Sequence, residues 1–388
     1  MVVHPMIRSN ICMNAHPVGL ARETQQQIDY VKSQGPLPGP KRVLIIGGSA
    51  GYGLASRIVA AYACDAATIN VAFERPASGK RTATVGWYNT EYFEKQARSD
   101  GKDVSTVYGD AFSNDVKDQV VDTIRSSWGS VDLVIYSLAS PLRIDPETGE
   151  EYRSVLKPIG EAFTGRTIDT MTGEFKTVTM EGATPEEVAA TVKVMGGEDW
   201  ELWVDRLMNE GLLSDGAMTV AYSYIGPELT RRVYREGSIG RAKEHLERTA
   251  KALTDRMQSV GGAAYVSVNK AVVTRASSVI PVVPLYGVIL FRVMKEMGLH
   301  EGTIEQIYRL FRDRLYSEGK VAVDDEGRIR IDDWEMRDDV QARVAELFDR
   351  VDETTLRAET DIDEYHREFL RIHGFGVEGV DYDQDVEV

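Results

Sequence analysis

A lysine is seldom fully buried unless something anionic or hydroxylic faces it. In "SIGRAKEHLERTAKAL" (238–253), helical spacing places Lys243 on one stripe with Ile239, Leu246, Ala250 and Leu253. The alternative is a stem packed on the core with its ammonium in solvent. Tyr234 precedes this helix across a short "REGS" turn, and Tyr222 and Tyr224 close a strand-like run upstream. A tyrosine beside a lysine is a proton-transfer device, because a phenol with a pKa of about 10 is protonated at neutral pH and can donate. A cation ~4 Å away stabilises the tyrosinate left behind by ~4 kcal/mol at an effective dielectric of 20, before desolvation is subtracted. The chain has 17 tyrosines, and spacing by itself does not choose among them.

A second constellation lies in "RVLIIGGSAGYGLASRIVAAYACDAATINVAFERP" (42–76), where Gly47, Gly51 and Gly53 form G-x3-G-x-G between an apolar run and a helical pattern. Glycines there permit a tight turn and let peptide N–H groups approach a pyrophosphate, while the helix N-terminus adds favourable electrostatics. Three glycines alone are weak evidence, since such turns also merely connect elements. Glu74 strengthens the pattern by closing the second apolar run about twenty residues on. A carboxylate there can accept both hydroxyls of an adenosine ribose and would repel a 2′-phosphate, which points to NADH. The alternative is an uninvolved glutamate at a strand end.

The elements that must position these groups alternate. Strand patterns at "RVLIIGG", "AATINVAF", "VSTVYGD" and "VDLVIYSLA" are separated by helices at Leu54–Tyr62 and around 90–99 and 114–127. Buried-looking strands alternating with helices predict an α/β fold, a Rossmann-type doubly wound parallel sheet. Before it, residues 1–40 read as a short hairpin and a polar helix. After Ser140, two "TGE" turns (148–150 and 172–174) mark a hairpin-rich, substrate-side insertion, followed by helices near 185–194 and 198–211. The strand pattern resumes at 217–226 and 263–269. From about 301 the chain reads as amphipathic helix, with an acidic hairpin joining "VAV" to "RIRI". No linker is evident, so a single domain over 1–388 is expected, with a core at 41–140 and 215–300, an insertion at 141–214 and a C-terminal extension at 301–388.

Bulk properties narrow the function. Apolar residues make up 43% of the 388, enough for a sizeable core, and the net charge of −16 argues against nucleic acid or an anionic membrane as partner. Two cysteines, Cys12 and Cys64, make no disulfide framework and suit a reducing, cytoplasmic setting; Cys64 falls on an apolar helix face. No signal-peptide pattern opens the chain. Val279–Phe291, "VIPVVPLYGVILF", is too short to span a bilayer and reads as an internal or substrate-lining segment. The six histidines lack metal-ligand spacing, and "AVDDEGRIRIDDWE" fails as a calcium loop, so no metal is expected.

Several separated stretches together resemble the FabV/Ter family of trans-2-enoyl thioester reductases, long relatives of the short-chain dehydrogenases: "NICMNAHPVG", "GGSAGYGLASRI", "VIYSLASP", "SVLKPIG", "TVKVMGGEDWELW", "AYSYIGPE", "KEHLE", "VSVNKAVVTRAS", "IPVVPLY" and "RIRIDDWE". The resemblance runs nearly end to end. The family's Tyr-x8-Lys is met by Tyr234 and Lys243, wider than the Tyr-x3-Lys of ordinary short-chain dehydrogenases. It implies Tyr234 as proton donor, Tyr224 near the thioester carbonyl, and Lys243 on the cofactor ribose. It further implies that Gly47, Gly48, Ser49, Ala50, Gly51, Tyr52, Phe73, Glu74, Asp110, Ala111, Leu138 and Ala139 line NADH, and that Val272, Val273 and Thr274 contact its nicotinamide half. Gly48 stands where the family usually has cysteine or alanine, and is expected to loosen the loop with little effect. The implied activity is NADH-dependent reduction of enoyl-CoA or enoyl-acyl-carrier-protein in fatty-acid elongation, by a cytoplasmic monomer. A carbonyl or alcohol dehydrogenase on the same fold is the alternative.

Overall fold

The computed structural model describes residues 1–8, 11–274 and 283–388. A short hairpin, β1 (Ile7–Arg8) and β2 (Ile11–Cys12), leads into helix α1 (Pro17–Gln34). The alternating region follows as β3 (Arg42–Ile46), α2 (Gly51–Tyr62), β4 (Ala67–Ala72), α3 (Val85–Ser99), β5 (Val104–Tyr108), α4 (Asn114–Ser127) and β6 (Val131–Tyr136). The insertion holds hairpins β7–β8 (Leu142–Ile144, Glu151–Arg153) and β9–β10 (Phe163–Ile168, Phe175–Met180), then α5 (Pro185–Met195) and α6 (Glu198–Asn209). β11 (Leu213–Ser223), α7 (Ser238–Met257) and β12 (Ala263–Val268) return to the core, followed by α8 (Val283–Glu296), α9 (Thr303–Leu310), β13 (Arg328–Arg330), α10 (Asp338–Arg350), α11 (Leu356–Glu359) and α12 (Ile362–Arg371).

Seven of these strands pair in the order β13-β12-β11-β6-β3-β4-β5, every neighbour parallel. The strand order reverses between β3 and β6, so the crevice beyond their C-terminal ends is where a doubly wound sheet binds its ligand. Side-chain alternation splits β3 between two cores. Val43 and Ile45 pack with α2 and α9 on one face, and Leu44 and Ile46 face the layer of α4, α6 and α7 on the other. A third cluster joins α8, α10 and α12 with Ile168 of β9. Cys64 is buried in the first core.

Two expectations change. The acidic turn exists, with the Gly327 N–H bonded to the Asp324 carbonyl (2.9 Å), but "VAV" forms no strand. Arg328–Arg330 instead pairs parallel to β12 as the sheet's seventh strand, because Ile329 and Ile331 are fully buried while Val323 is 45% exposed. The core therefore draws a strand from the C-terminal extension. Within Val279–Phe291, residues 279–282 lie outside the described residues, and from Val283 the chain is helix, buried through Phe291. Among the described residues no helix is long and apolar enough to cross a membrane.

Candidate active site

The glycine loop sits where β3 meets α2, and its glycines are needed for close approach. A Cβ on Gly53 would lie 2.0 Å from the Gly47 carbonyl oxygen, and one on Gly47 (φ +89°) would lie 2.3 Å from Ser137 O and 2.9 Å from Leu138. The loop is thus folded against the end of β6, with Leu138 over it and Ala139 exposed beside it. Six residues beyond β12, Thr274 comes within contact distance of the space beside Gly51. Gly48 does not loosen the loop, contrary to expectation. Its N–H donates to Asn70 Oδ1 (2.8 Å), and a Cβ there would meet that oxygen at 2.5 Å and Ile45 at 2.8 Å. A buried asparagine on β4 thus fills the space a larger residue would use.

Glu74 is held at the mouth of this loop. Its Oε1 accepts from Ser49 Oγ (2.7 Å), and a Cβ on Gly86 in the first turn of α3 would lie 2.1 Å from the same oxygen. The carboxylate nests over a helix N-terminus, where the backbone dipole favours a negative charge. Gly86 escaped sequence reasoning, since one glycine opening a helix carries no signal until its neighbour is known. Phe73 is 79% exposed beside it. Asp110 caps the turn before α4, its Oδ1 accepting from Phe112 N–H (3.0 Å), and the Ala111 carbonyl accepts from Trp203 Nε1 (3.1 Å) and Lys117 Nζ (3.0 Å). Tyr52 sends its side chain below the loop, where the hydroxyl donates to Lys270 O (2.7 Å) and the ring packs on Tyr222.

Tyr224 and Tyr234 meet ahead of α7, and Lys243 lies in the second turn of that helix. The turn carrying Tyr234 folds tightly onto that helix because Gly240 has no side chain: a Cβ there would lie 1.8 Å from Arg235 O and 2.8 Å from Tyr234 O. A two-pronged ion pair between Arg235 and Glu247 (2.8 and 3.0 Å) fastens the turn one helical turn beyond Lys243. Tyr224, at the end of β11, meets Tyr234 edge-to-face with ring centroids 5.0 Å apart. Tyr222 faces the opposite layer and bonds Ser56 Oγ (2.6 Å), as strand alternation requires. Lys243 is buried, and desolvation pulls its ammonium down to about 8, with Glu247 opposing. Burial likewise pushes the Tyr234 phenol upward. Among the described residues nothing hydrogen-bonds the Tyr234 hydroxyl or the Lys243 ammonium. Tyr224, by contrast, is engaged: its hydroxyl donates to Glu335 Oε1 (3.0 Å). Glu335, in the turn after β13, was not singled out in the sequence.

The fold and this arrangement define a nucleotide-dependent oxidoreductase built on a doubly wound parallel sheet. Family models match almost the whole chain: the trans-2-enoyl-CoA reductase catalytic region at residues 81–316, and the NAD(P)H binding domain of trans-2-enoyl-CoA reductase at residues 2–79. The crystal structure of Clostridium acetobutulicum trans-2-enoyl-CoA reductase in complex with NADH superposes with a TM-score of 0.97 at 43% identity, covering 100% of this chain and 98% of that one. The Treponema denticola enzyme in complex with NAD gives 0.96 at 51% identity, with the same coverage. Enoyl-[acyl-carrier-protein] reductase [NADH] of Flavobacterium johnsoniae is 55% identical over 385 residues, 99% of this chain and 97% of its own. The chain belongs to the trans-2-enoyl-CoA reductase family.

A third model, described as an enoyl reductase FAD binding domain, matches residues 323–386. The glycines of that stretch, Gly327 before β13 and Gly374, Gly376 and Gly379 after α12, do not lie between a strand and the helix that follows it. The link from β13 to α10, "IDDWEMR", has no glycine to admit a pyrophosphate. The apolar faces of α10 and α12 (Val340, Val344, Leu347, Ile362, Tyr365 and Phe369) are buried in one cluster with α8.

Proposed function

We propose that Tyr234 is the proton donor, and Lys243 the residue orienting cofactor ribose and tyrosine, in the NADH-dependent reduction of the C2=C3 bond of trans-2-enoyl thioesters. The peptide N–H groups of Ser49–Gly51 and the α2 N-terminus suit a pyrophosphate, those of Gly47 and Gly48 being bonded to Val71 O and Asn70 Oδ1, and Glu74 suits the hydroxyls of an adenosine ribose. When bound, NADH supplies a hydride to the β-carbon of the enoyl thioester. Negative charge then develops on the thioester oxygen, where the Tyr234 hydroxyl donates; a proton from water then reaches the α-carbon as the oxygen returns its proton to the tyrosinate, so one proton is taken up in all. The Lys243 ammonium lowers the cost of the tyrosinate that donation leaves. Tyr224 stands against the thioester carbonyl, and the described part of 279–291 supports an acyl wall there, since Tyr286 of α8 reaches the same carboxylate as Tyr224.

The observation that carries this reading is that the Tyr234 and Lys243 side chains are largely buried while their hydroxyl and ammonium are engaged by no described protein group. Burial without a partner is costly, and a ligand that supplies one relieves it. The curated relative is named for acyl carrier protein and the solved neighbours for CoA. Steady-state NADH oxidation with matched CoA and carrier-protein enoyl thioesters of several lengths tests the reading and assigns the carrier. Turnover of ketones in preference to crotonyl-CoA would overturn it in favour of a carbonyl reductase. We further propose that the chain works as one unit, a cytoplasmic monomer. A strand from its far end completing the sheet supports the first point, and light scattering tests the monomer.

A further inference from the structure

Glu335 is fully buried, and its two oxygens hold different parts of the site. Oε1 accepts from the hydroxyls of Tyr224 (3.0 Å) and Tyr286 (2.7 Å), and Oε2 accepts from the Ala271 N–H (2.7 Å). Ala271 opens the segment that runs into Val272–Thr274, and its carbonyl accepts from Lys270 Nζ (2.7 Å), so the residue is held from both sides. The turn that carries the carboxylate is braced in its own right. Met336 N–H bonds Asp332 O (2.9 Å), and Trp334 lies under the Arg309 guanidinium (4.1 Å). A phenol has one proton, so a Tyr224 that donates to Glu335 keeps its ring and hydroxyl in one orientation beside Tyr234.

We propose that Glu335 is a positioning residue of the reductase reaction, registering Tyr224 on the substrate side with the Ala271–Thr274 segment on the nicotinamide side. This rests on the roles proposed above for Tyr224 and Tyr234. The C-terminal extension thereby contributes to turnover through one carboxylate.

The test is Glu335→Gln, alone and in a Tyr224→Phe background, with crotonyl-CoA turnover and NADH binding measured for each. The Ala271 N–H requires an acceptor, so the amide oxygen turns to it and the NH2 group faces the two phenols. The Ala271 arm survives and the Tyr224 arm is inverted. NADH Kd is expected to stay within about two-fold while kcat falls at least about five-fold, the scale of losing one charge-assisted hydrogen bond. In the Tyr224→Phe background the same substitution is expected to cost less than about two-fold, because the group it acts through is gone. Glu335→Asp, which keeps the charge but withdraws it from the phenols, serves as the second variant should the amide impair folding. An unchanged kcat, or a loss of equal size with and without the Tyr224 hydroxyl, overturns the proposal. Wild-type turnover by Tyr224→Phe alone would instead overturn the role of Tyr224 on which it rests.

Discussion

Replacing Lys243 with methionine is expected to make the ligand-free protein more stable while damaging its activity. The side chain is 7% exposed, and burial lowers its pKa from 10.5 to about 8. At 1.36 kcal/mol per unit, that shift corresponds to a penalty of about 3 kcal/mol for keeping the ammonium charged in the folded state. The folded pKa is the lower one, so between pH 8 and 10.5 the unfolded chain binds more protons and wild-type stability rises with pH. Below pH 8 both states are protonated and the full penalty applies. Methionine has no charge to desolvate and a similar length, so Lys243→Met should gain about 1–3 kcal/mol at pH 7, fading as pH approaches 10.5. Urea midpoints of nucleotide-stripped wild type and variant, taken from pH 7 to 10.5, measure this. Lys270 is also pulled down to about 8 by burial, but it is common to both proteins and cancels in the difference. Lys117→Met is the control: Lys117 is buried against Asp199 (2.7 Å), and removing it strands a buried carboxylate, so that variant should lose about 3–5 kcal/mol. A Lys243→Met protein no more stable than wild type at pH 7, or a gain undiminished at pH 10.5, would refute the reasoning. In parallel, NADH affinity and kcat should both fall, because one ammonium serves the ribose and the tyrosine.

Three further outcomes are expected. Glu74→Ser should weaken NADH use and relax its preference over NADPH, measured as the ratio of kcat/KM for the two; an unchanged ratio would detach Glu74 from the ribose. Gly86→Ala should act in the same direction without touching the carboxylate, since its Cβ would lie 2.1 Å from Oε1 and displace it; NADH titration should show weaker binding with little change in kcat at saturation. Tyr234→Phe should fold, bind NADH and lose ~10²-fold or more in kcat, the scale of general acid–base catalysis; near-wild-type turnover would move the donor role to Tyr224.

The legible part of this protein was periodic. The βαβ alternation from Arg42 to Tyr136 repeats a short-range pattern, so a parallel doubly wound sheet and its glycine turn could be anticipated, and Lys243 was conspicuous as a charge on an apolar stripe. What resisted reading was non-local. Arg328–Arg330 has the same appearance in a hairpin or a parallel edge, and only the burial of Ile329 and Ile331 on β12 decides between them. Gly48 looked slack because its constraint, Asn70, sits on the next strand. Gly86, Gly240 and Glu335 matter through partners distant in sequence or hidden behind a turn. A single sequence reports which residues want burial far better than which residues they meet.

The buried charges show where function departs from stability. Arg57 pairs with Glu94 (2.8 Å), Lys117 with Asp199 (2.7 Å) and Arg309 with Glu301 (2.7 Å), and each of these cations is almost fully enclosed. In such pairs the desolvation cost is met inside the fold, and nothing remains for a ligand to relieve. Lys243 is comparably enclosed, yet the carboxylate one turn away, Glu247, is occupied by Arg235. The turn that delivers Tyr234 is thus fastened by the very group that would otherwise neutralise the lysine. Arg328 Nη1 also reaches Glu247 Oε1 (3.5 Å), so the carboxylate is held between two guanidinium groups. The ion pair beside the site therefore fastens the turn that carries the donor and leaves the Lys243 ammonium without a carboxylate bonded to it among the described residues, open to a ligand hydroxyl.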